Sequence, residues 1–373
     1  MERERTTDGG RDAHLDWMRT AGVVAILASH AIVPYMEHAP DWYVLDLRRW
    51  FAFDGLGLVS EAVCIPLLFF VAGAVLPASL ARRGLASFVR SRALRLLVPL
   101  PLGLASFVAM ADWLRACRHS GPVGFLQHWP HYWSWDLNHG HLWFLPYLFV
   151  LSAAAALAAR WRPRAFDAAL ASEPRPPGAG MLATFALGVG LAKAALLLVT
   201  DDQTWLDSLL LNVQPSRVPF NVGFFLLGLA STFGRWHEAP ASRRRARVAT
   251  LVAMLSSAGL IFVAWLGRPP PLAALKVADG LLHATVAVSA LVMIDEWIRL
   301  RAGRPAGLGR SLVASSYGIY LVHYGPVLAY GALLVEAPWH PVAKYLAVVA
   351  ASLTTSWLAA EGLRRLPGLR RVL

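Results

Sequence analysis

The chain has 373 residues, of which 57% are hydrophobic and 16% are charged, and its mean hydropathy is +0.48. Soluble domains carry about 25% charged residues, so this composition excludes an ordinary soluble globular protein. The small charged fraction is strongly basic, since 35 Lys and Arg stand against 23 Asp and Glu, a formal net charge of +12. A basic excess within a low charge content is typical of a multi-span membrane protein with cationic cytoplasmic loops.

Ten apolar stretches have about the length that the hydrocarbon core of a bilayer requires. They are residues 15–36, 56–80, 94–114, 141–159, 181–200, 218–233, 248–267, 277–297, 311–335 and 342–363. The sequence therefore predicts an all-α fold, a polytopic integral membrane bundle of about ten transmembrane helices. Residues 15–363 form the predicted membrane domain, and residues 1–14 and 364–373 are predicted to be cytoplasmic tails.

The basic residues predict the orientation of this bundle. Alternating the loops between the two sides of the membrane places most of the 35 Lys and Arg on the side of the N-terminus. Because cytoplasmic loops are enriched in Lys and Arg, both termini are predicted to be inside. The basic run at 243–247 lies between two spans, so we interpret it as a topology signal and expect the lipid bilayer, not nucleic acid, as its partner. The Arg- and Pro-rich connection 160–180 is predicted to lack regular structure.

Five ionisable side chains fall inside the predicted spans. They are His30, Glu61, Lys193, His283 and His323. Charge at bilayer depth is costly, so each is a candidate functional residue, although polar groups also hold membrane helices together. Four of the five lie in the outer half of their spans, which predicts a polar cavity open to the outside.

Arg19 and His30 lie on one face of the first helix, because eleven residues make about three turns. Their separation along the axis is about 16 Å, from the cytoplasmic interface towards the middle of the membrane. Arg binds phosphate, and His removes a hydroxyl proton near neutral pH. The pair therefore suits a long, polyanionic thioester donor, with its phosphate at Arg19 and its reactive end at His30. Asp16, three residues before Arg19, is placed to orient the guanidinium.

Arg92 and Arg95 lie three residues apart at the start of the third predicted helix. They form a suitable fork for donor phosphates, and positive-inside anchoring explains them equally well.

The outer segment 127–143 is crowded with aromatic and His side chains. His141 and Trp143 are the candidates there for stacking against sugar rings, and an interfacial aromatic belt is the alternative. The segment has no recognised zinc spacing, so no metal is predicted.

Ser316, Tyr320 and His323 follow the i, i+4, i+7 spacing of one helix face. A Ser relayed by His can carry an acyl group, but no nucleophile turn surrounds Ser316, which favours a structural polar stripe. Glu61 is predicted to pair with His30 across the antiparallel first and second helices and so to fix its tautomer.

Several segments resemble, in order, those of the membrane acyltransferase 3 family. The segment LDWMR at 15–19 with His30 is similar to the R-x10-H motif of the family's first helix. The other similar segments are LFFVAG at 68–73, the region 88–99 with Arg92 and Arg95, HLWFL at 141–145 and SYGIYLVH at 316–323. The LDW opening and PFNVGFFLLG at 219–228 look most like the glucan-biosynthesis protein C branch.

This resemblance implies a bacterial inner-membrane O-acyltransferase that takes an acyl group from cytoplasmic acyl-CoA and modifies an extracytoplasmic carbohydrate. It implies His30 as the essential His and Arg19, Arg92 and Arg95 on the donor side. Acyl-CoA is then a co-substrate, and no bound cofactor is expected. In the glucan branch the acyl group is succinyl and the acceptor a periplasmic glucan.

A transporter or flippase is the competing class, since it also explains charges inside the membrane. The sequence shows neither evident half-repeats nor paired broken helices, and the Arg19–His30 stripe has no particular meaning for simple transport.

Overall fold

The computed structural model describes residues 13–134, 137–170, 173, 175–208, 210–266 and 272–369. Within these ranges the protein is built from helices, and its one extended pairing is an isolated bridge between Leu206 and Val213. Most of the predicted tail 1–14 and the last residues of the predicted tail 364–373 lie outside the described residues.

The described chain contains fifteen α-helices. They are α1 Ala13–Ile32, α2 Ala52–Arg83, α3 Leu85–Leu96, α4 Pro99–Gly103, α5 Ala109–Ser120, α6 Phe125–Ser134, α7 Phe144–Trp161, α8 Pro163–Leu170, α9 Ala179–Val199, α10 Val218–Phe233, α11 Arg243–Leu266, α12 Ala273–Arg301, α13 Gly307–Val322, α14 Tyr324–Leu334 and α15 Pro341–Arg365. A π-helical turn, Leu104–Val108, joins α4 to α5, and a 3-10 turn, Gly140–Trp143, precedes α7.

Eight helical stretches of the described chain are long and apolar enough to cross a membrane. They are Ala13–Tyr35, Ala52–Arg83, Leu85–Ser120, Gly140–Trp161, Ala179–Val199, Arg243–Leu266, Ala273–Arg301 and Pro341–Arg365. The prediction of a polytopic helical membrane protein is confirmed. The remaining two predicted spans differ in form: α10 has 16 residues, and the stretch 311–335 is divided into α13 and α14. The count of ten spans and the orientation stay predictions.

The division between α13 and α14 falls at His323. Pro326, three residues later, has no N–H to donate to the carbonyl of Val322, so the regular bonding of the helix is interrupted there. The ring of His323 turns back instead and donates from Nδ1 to the carbonyl of Tyr320 at 2.6 Å. The break therefore gives this histidine a fixed orientation.

The connection 160–180 contains a helix, α8, so the prediction that it lacks regular structure was wrong for Pro163–Leu170. The reason is a packing contact: the ring of Phe166 meets the ring of Phe233 edge-on at 5.6 Å. This contact ties α8 to the end of α10.

Glycines let α2 and α10 approach until their backbones touch. A Cβ on Gly73 of α2 would lie 2.0 Å from the carbonyl oxygen of Phe225, and one on Gly228 of α10 would lie 2.0 Å from that of Phe70. Small residues at membrane helix crossings allow this close packing. The short helix α10 is thereby held against α2, with its N-terminal end beside the N-terminal half of α2.

We predict that Gly73→Ala lowers the free energy of unfolding of the protein in detergent by about 1–3 kcal/mol or more, because α2 and α10 must move apart. Gly188→Ala on α9 is the matched control, since a Cβ there meets nothing within 4 Å. Thermal unfolding followed by tryptophan fluorescence compares the two. If both variants are equally stable, the close contact between α2 and α10 is wrong.

Candidate functional site

One face of α13 joins three parts of the chain that are distant in sequence. Its side chains Ser316, Tyr320 and His323 are all buried. Ser316 bonds to Arg19 in the first half of α1, and Tyr320 bonds to the Gly140–Trp143 turn. His323 bonds to His30 near the end of α1. The polar face predicted from the spacing therefore bonds to α1 and to the turn before α7.

Ser316 anchors Arg19. The Nε of Arg19 donates to the Oγ of Ser316 at 3.0 Å, and its Nη2 donates to the carbonyl of Val313 at 3.2 Å. Asp16 forms an ion pair with the same guanidinium at 3.0 Å, as the spacing predicted. Ser316 itself donates to the carbonyl of Val313, so its hydroxyl acts as a support for Arg19.

The hydrogen bonds of His323 determine the tautomer of His30. The carbonyl of Tyr320 accepts only, so the Nδ1 of His323 carries the proton and its Nε2 in the neutral ring is an acceptor. That Nε2 lies 2.9 Å from the Nδ1 of His30, which must therefore donate. The neutral His30 ring keeps its lone pair on Nε2. A bare imidazole nitrogen held in one orientation is suited to act as a general base.

His141 completes a cluster of three histidines. Its Nε2 donates to the carbonyl of Leu321 at 3.3 Å, and its Nδ1 is buried without a hydrogen-bond partner. The ring lies edge-on to His323 at 5.2 Å and stacks on Tyr324 at 4.3 Å. The hydroxyl of Tyr320 donates to the backbone carbonyl of His141 at 2.7 Å, which fixes the turn that carries it.

Aromatic rings surround His30, which is itself only partly buried. The ring of Trp42 lies 5.9 Å from it, and Tyr324 meets it edge-on at 5.3 Å. The indole Nε1 of Trp42 is buried without a partner. Trp42 and Tyr324 were missed by the sequence analysis. The position of Tyr324 next to His323 was the one available signal, since Trp42 lies in a loop that follows no recognised motif.

A buried ion pair holds the loop that carries Trp42. Lys344 of α15 contacts both carboxylate oxygens of Asp46 at 2.8 and 2.9 Å and the carbonyl of Val335 at 2.9 Å. Both charged side chains are buried. Breaking a buried pair by removing one partner is costly, so this pair fixes the loop over His30.

The predicted pairing of Glu61 with His30 was wrong. Glu61 lies 2.5 Å from the Nη1 of Arg217, and the Nδ1 of His30 is bonded to His323. Helix α2 has α1 on one side and α10 on another, and Glu61 contacts the cation at the start of α10. Glu61 is therefore paired with Arg217, and His323 is the residue that is bonded to the Nδ1 of His30.

Glu61 belongs to a separate ion network with two other residues singled out in the sequence. Arg217 also contacts Asp202 at 2.9 Å, Lys193 contacts Asp202 and Asp279 at 3.1 Å each, and His283 lies 3.3 Å from Asp279. Burial raises the pKa of the Asp202 carboxyl, but Arg217 and Lys193 outweigh it and hold that pKa well below its usual range. Burial lowers the pKa of the Arg217 guanidinium, and the carboxylates of Glu61 and Asp202 raise it above its ordinary value.

Arg92 and Arg95 lie on α3 beside α13. The hydroxyl of Tyr317 donates to the backbone carbonyl of Arg95. Tyr317 follows Ser316, which holds Arg19. The guanidinium of Arg92 lies 5.3 Å from the ring centre of Phe88. The Tyr317 bond joins the end of α3 to the part of α13 that holds Arg19, whereas the contact of Arg92 with Phe88 lies within α3.

Trp143 lies two residues beyond His141 and is partly exposed. Its ring lies 6.3 Å from Tyr147 and 5.9 Å from Trp205. Trp205 belongs to the loop between α9 and α10, and the sequence analysis did not single it out.

The profile of the acyltransferase 3 family, described as "Acyltransferase domain", matches residues 12–361. The chain belongs to the acyltransferase 3 family. No curated protein and no solved structure matches the chain. Family membership together with eight apolar helices of spanning length makes this protein a membrane acyltransferase.

We predict that His323→Ala lowers the rate of acyl transfer roughly 10–100-fold, because His30 loses the acceptor that holds its proton on Nδ1. His323→Gln is expected to recover part of this loss, since its amide oxygen reaches about the position of Nε2. Initial rates with a radiolabelled acyl-CoA measure both effects. His237→Ala, at an exposed turn, is the control. If His323→Ala transfers acyl groups at the wild-type rate, the positioning role is wrong.

Proposed function

We propose that this acyltransferase moves an acetyl or succinyl group from cytoplasmic acyl-CoA to a hydroxyl of an extracytoplasmic carbohydrate. A periplasmic glucan, as in the glucan-biosynthesis branch, or another cell-envelope sugar is the acceptor. The observation that carries the proposal is the bond from the Nδ1 of His30 to His323, which leaves the Nε2 of His30 as a base in a partly open site.

The reaction is a direct transfer. The Nε2 of His30 takes the proton of the acceptor hydroxyl as that oxygen attacks the carbonyl carbon of the thioester. A C–O bond forms, the C–S bond breaks, and His30 returns the proton to the departing sulfur of CoA. Thioester and alcohol become ester and thiol, so the step balances without a further reactant.

The donor side is proposed at Arg19, Arg92 and Arg95. Arg19 is held by Ser316 and Asp16, with 39% of its side chain exposed, so its charge is oriented and still reachable. It precedes His30 by about 16 Å along α1, a distance that an extended thioester arm can span. Arg92 and Arg95 lie on the helix that contacts α13 beside Ser316 and supply further charge for phosphates.

The acceptor side is proposed at the aromatic end of the site. His141, Tyr320 and His323 form its wall, and Trp143 offers a partly exposed ring for a sugar. The unpaired Nδ1 of His141 and Nε1 of Trp42 are available to hydroxyl groups near His30.

The proposed location is the bacterial cytoplasmic membrane, with both termini inside. The distribution of Lys and Arg between the loops supports this orientation. It directs Arg19 to the acyl-CoA pool and the aromatic end to the outside.

We predict that His30→Ala lowers acyl transfer by roughly 10²–10⁴-fold while the protein still inserts and folds, because the general base is lost. Membranes containing either variant are supplied with labelled acyl-CoA and glucan, and label in the carbohydrate is counted. His38→Ala, in the exposed outer loop, is the matched histidine control.

Two outcomes oppose the proposal in different ways. Transfer by His30→Ala at the wild-type rate contradicts the assigned base. Movement of labelled sugar across wild-type vesicles without acylation supports the transporter class, for which the buried network around Lys193 would be the candidate pathway.

A further inference from the structure

The loop between α9 and α10 is held by charges that the proposed transfer does not use. Asp202, near its start, contacts Lys193 of α9, which is fully buried, and Arg217 at its end. Arg217 contacts Glu61 of α2 in turn. Lys193 has no solvent exposure, so its charge depends on the carboxylates that contact it. The loop is therefore clamped at both of its ends.

The clamped loop is also folded on itself. Leu206 and Val213 pair as an antiparallel bridge, with backbone hydrogen bonds of 2.8 and 3.1 Å. The amide of Asn212 donates to Asp207 at 2.6 Å. Trp205 precedes the first residue of this bridge, so its backbone has a fixed position.

Trp205 meets Trp143 at the outer end of α7. The two ring centres are 5.9 Å apart, and the ring planes are inclined at 72°. Trp205 is 39% exposed, and Trp143 is partly exposed. Two accessible indoles at this angle form a corner, in which a sugar ring can lie on one face and be bordered by the other. Such an exposed pair needs an explanation beyond core packing, because neither ring is buried.

The corner is next along the chain to the histidine cluster. Trp143 follows His141 by two residues, and the ring of His141 lies 5.2 Å from His323. The ion network that holds the loop of Trp205 reaches the Glu61 carboxylate on α2, which is 38% exposed.

We propose that Trp143 and Trp205 form a carbohydrate subsite for a neutral pyranose unit next to the unit that is acylated. The ion network from Glu61 through Asp202 to Lys193 positions the Trp205 half of this subsite. The inference rests on the proposed carbohydrate acceptor and adds that an oligosaccharide is held at more than one unit. A single sugar would occupy only the site at His30.

The test measures binding without acyl donor, so that no turnover occurs. Purified protein in detergent is titrated with a β-glucan oligosaccharide and, separately, with glucose, and heat release is recorded. Trp205→Ala is expected to weaken oligosaccharide binding roughly tenfold and to leave the weak binding of glucose unchanged, whereas Trp205→Phe keeps most of the affinity. Trp339→Ala is the matched control, since Trp339 is likewise an exposed tryptophan in a loop.

A second variant tests the clamp. Asp202→Asn removes the shared partner of Lys193 and Arg217, and is expected to weaken oligosaccharide binding as Trp205→Ala does. If this variant fails to fold, the substitutions at the exposed Trp205 still decide the question.

If Trp205→Ala binds the oligosaccharide with wild-type affinity, the subsite is wrong. It is also wrong if Trp339→Ala loses as much affinity for the oligosaccharide, because that result would indicate interfacial anchoring by exposed tryptophans. Absence of oligosaccharide binding by the wild type overturns it as well. Failure of the proposed function is distinguishable: a protein that binds the oligosaccharide through Trp205 but transfers no acyl group to it retains the subsite and loses the transferase assignment.

Discussion

The hydrogen bond between the Nδ1 of His30 and the Nε2 of His323 is the interaction on which the site depends. It exists because α13 ends at His323, whose ring bonds back to the carbonyl of Tyr320 and so presents an acceptor to α1. The same face of α13 supports Arg19 through Ser316. A single helix face therefore sets both the tautomer of His30 and the position of the Arg19 cation about three turns away along α1.

A histidine cluster and an ion network form two separate polar systems in the bundle. The histidine cluster is made of imidazole rings, backbone carbonyls and aromatic side chains, and among the described residues no carboxylate is bonded to His30. The second system consists of ion pairs from Glu61 to Asp279 and holds the loop between α9 and α10. The surroundings of His30 suit its proposed role as a base, whereas the paired ions tolerate burial because each has a partner.

Periodicity predicted which of the candidate residues share a helix face, but it did not predict the contacts between helices. The eleven-residue spacing places Arg19 and His30 on one face, and the spacing of Ser316, Tyr320 and His323 makes a stripe. Which helix a face meets does not follow from spacing, so Glu61 was assigned to His30 although Arg217 binds it. Trp42 and Trp205 lie in loops whose positions depend on the distant partners Lys344 and Lys193, and no local pattern identifies them.

Nitrogen NMR of the protein labelled with ¹⁵N-histidine in bilayers distinguishes the two tautomers of His30. We expect a neutral His30 ring with its proton on Nδ1 and a bare Nε2, and a correlation through the hydrogen bond between its Nδ1 and the Nε2 of His323. The signals are assigned by their loss in His30→Gln and His323→Gln. A His30 ring protonated on Nε2 with a bare Nδ1, or no correlation between the two rings, would contradict the account.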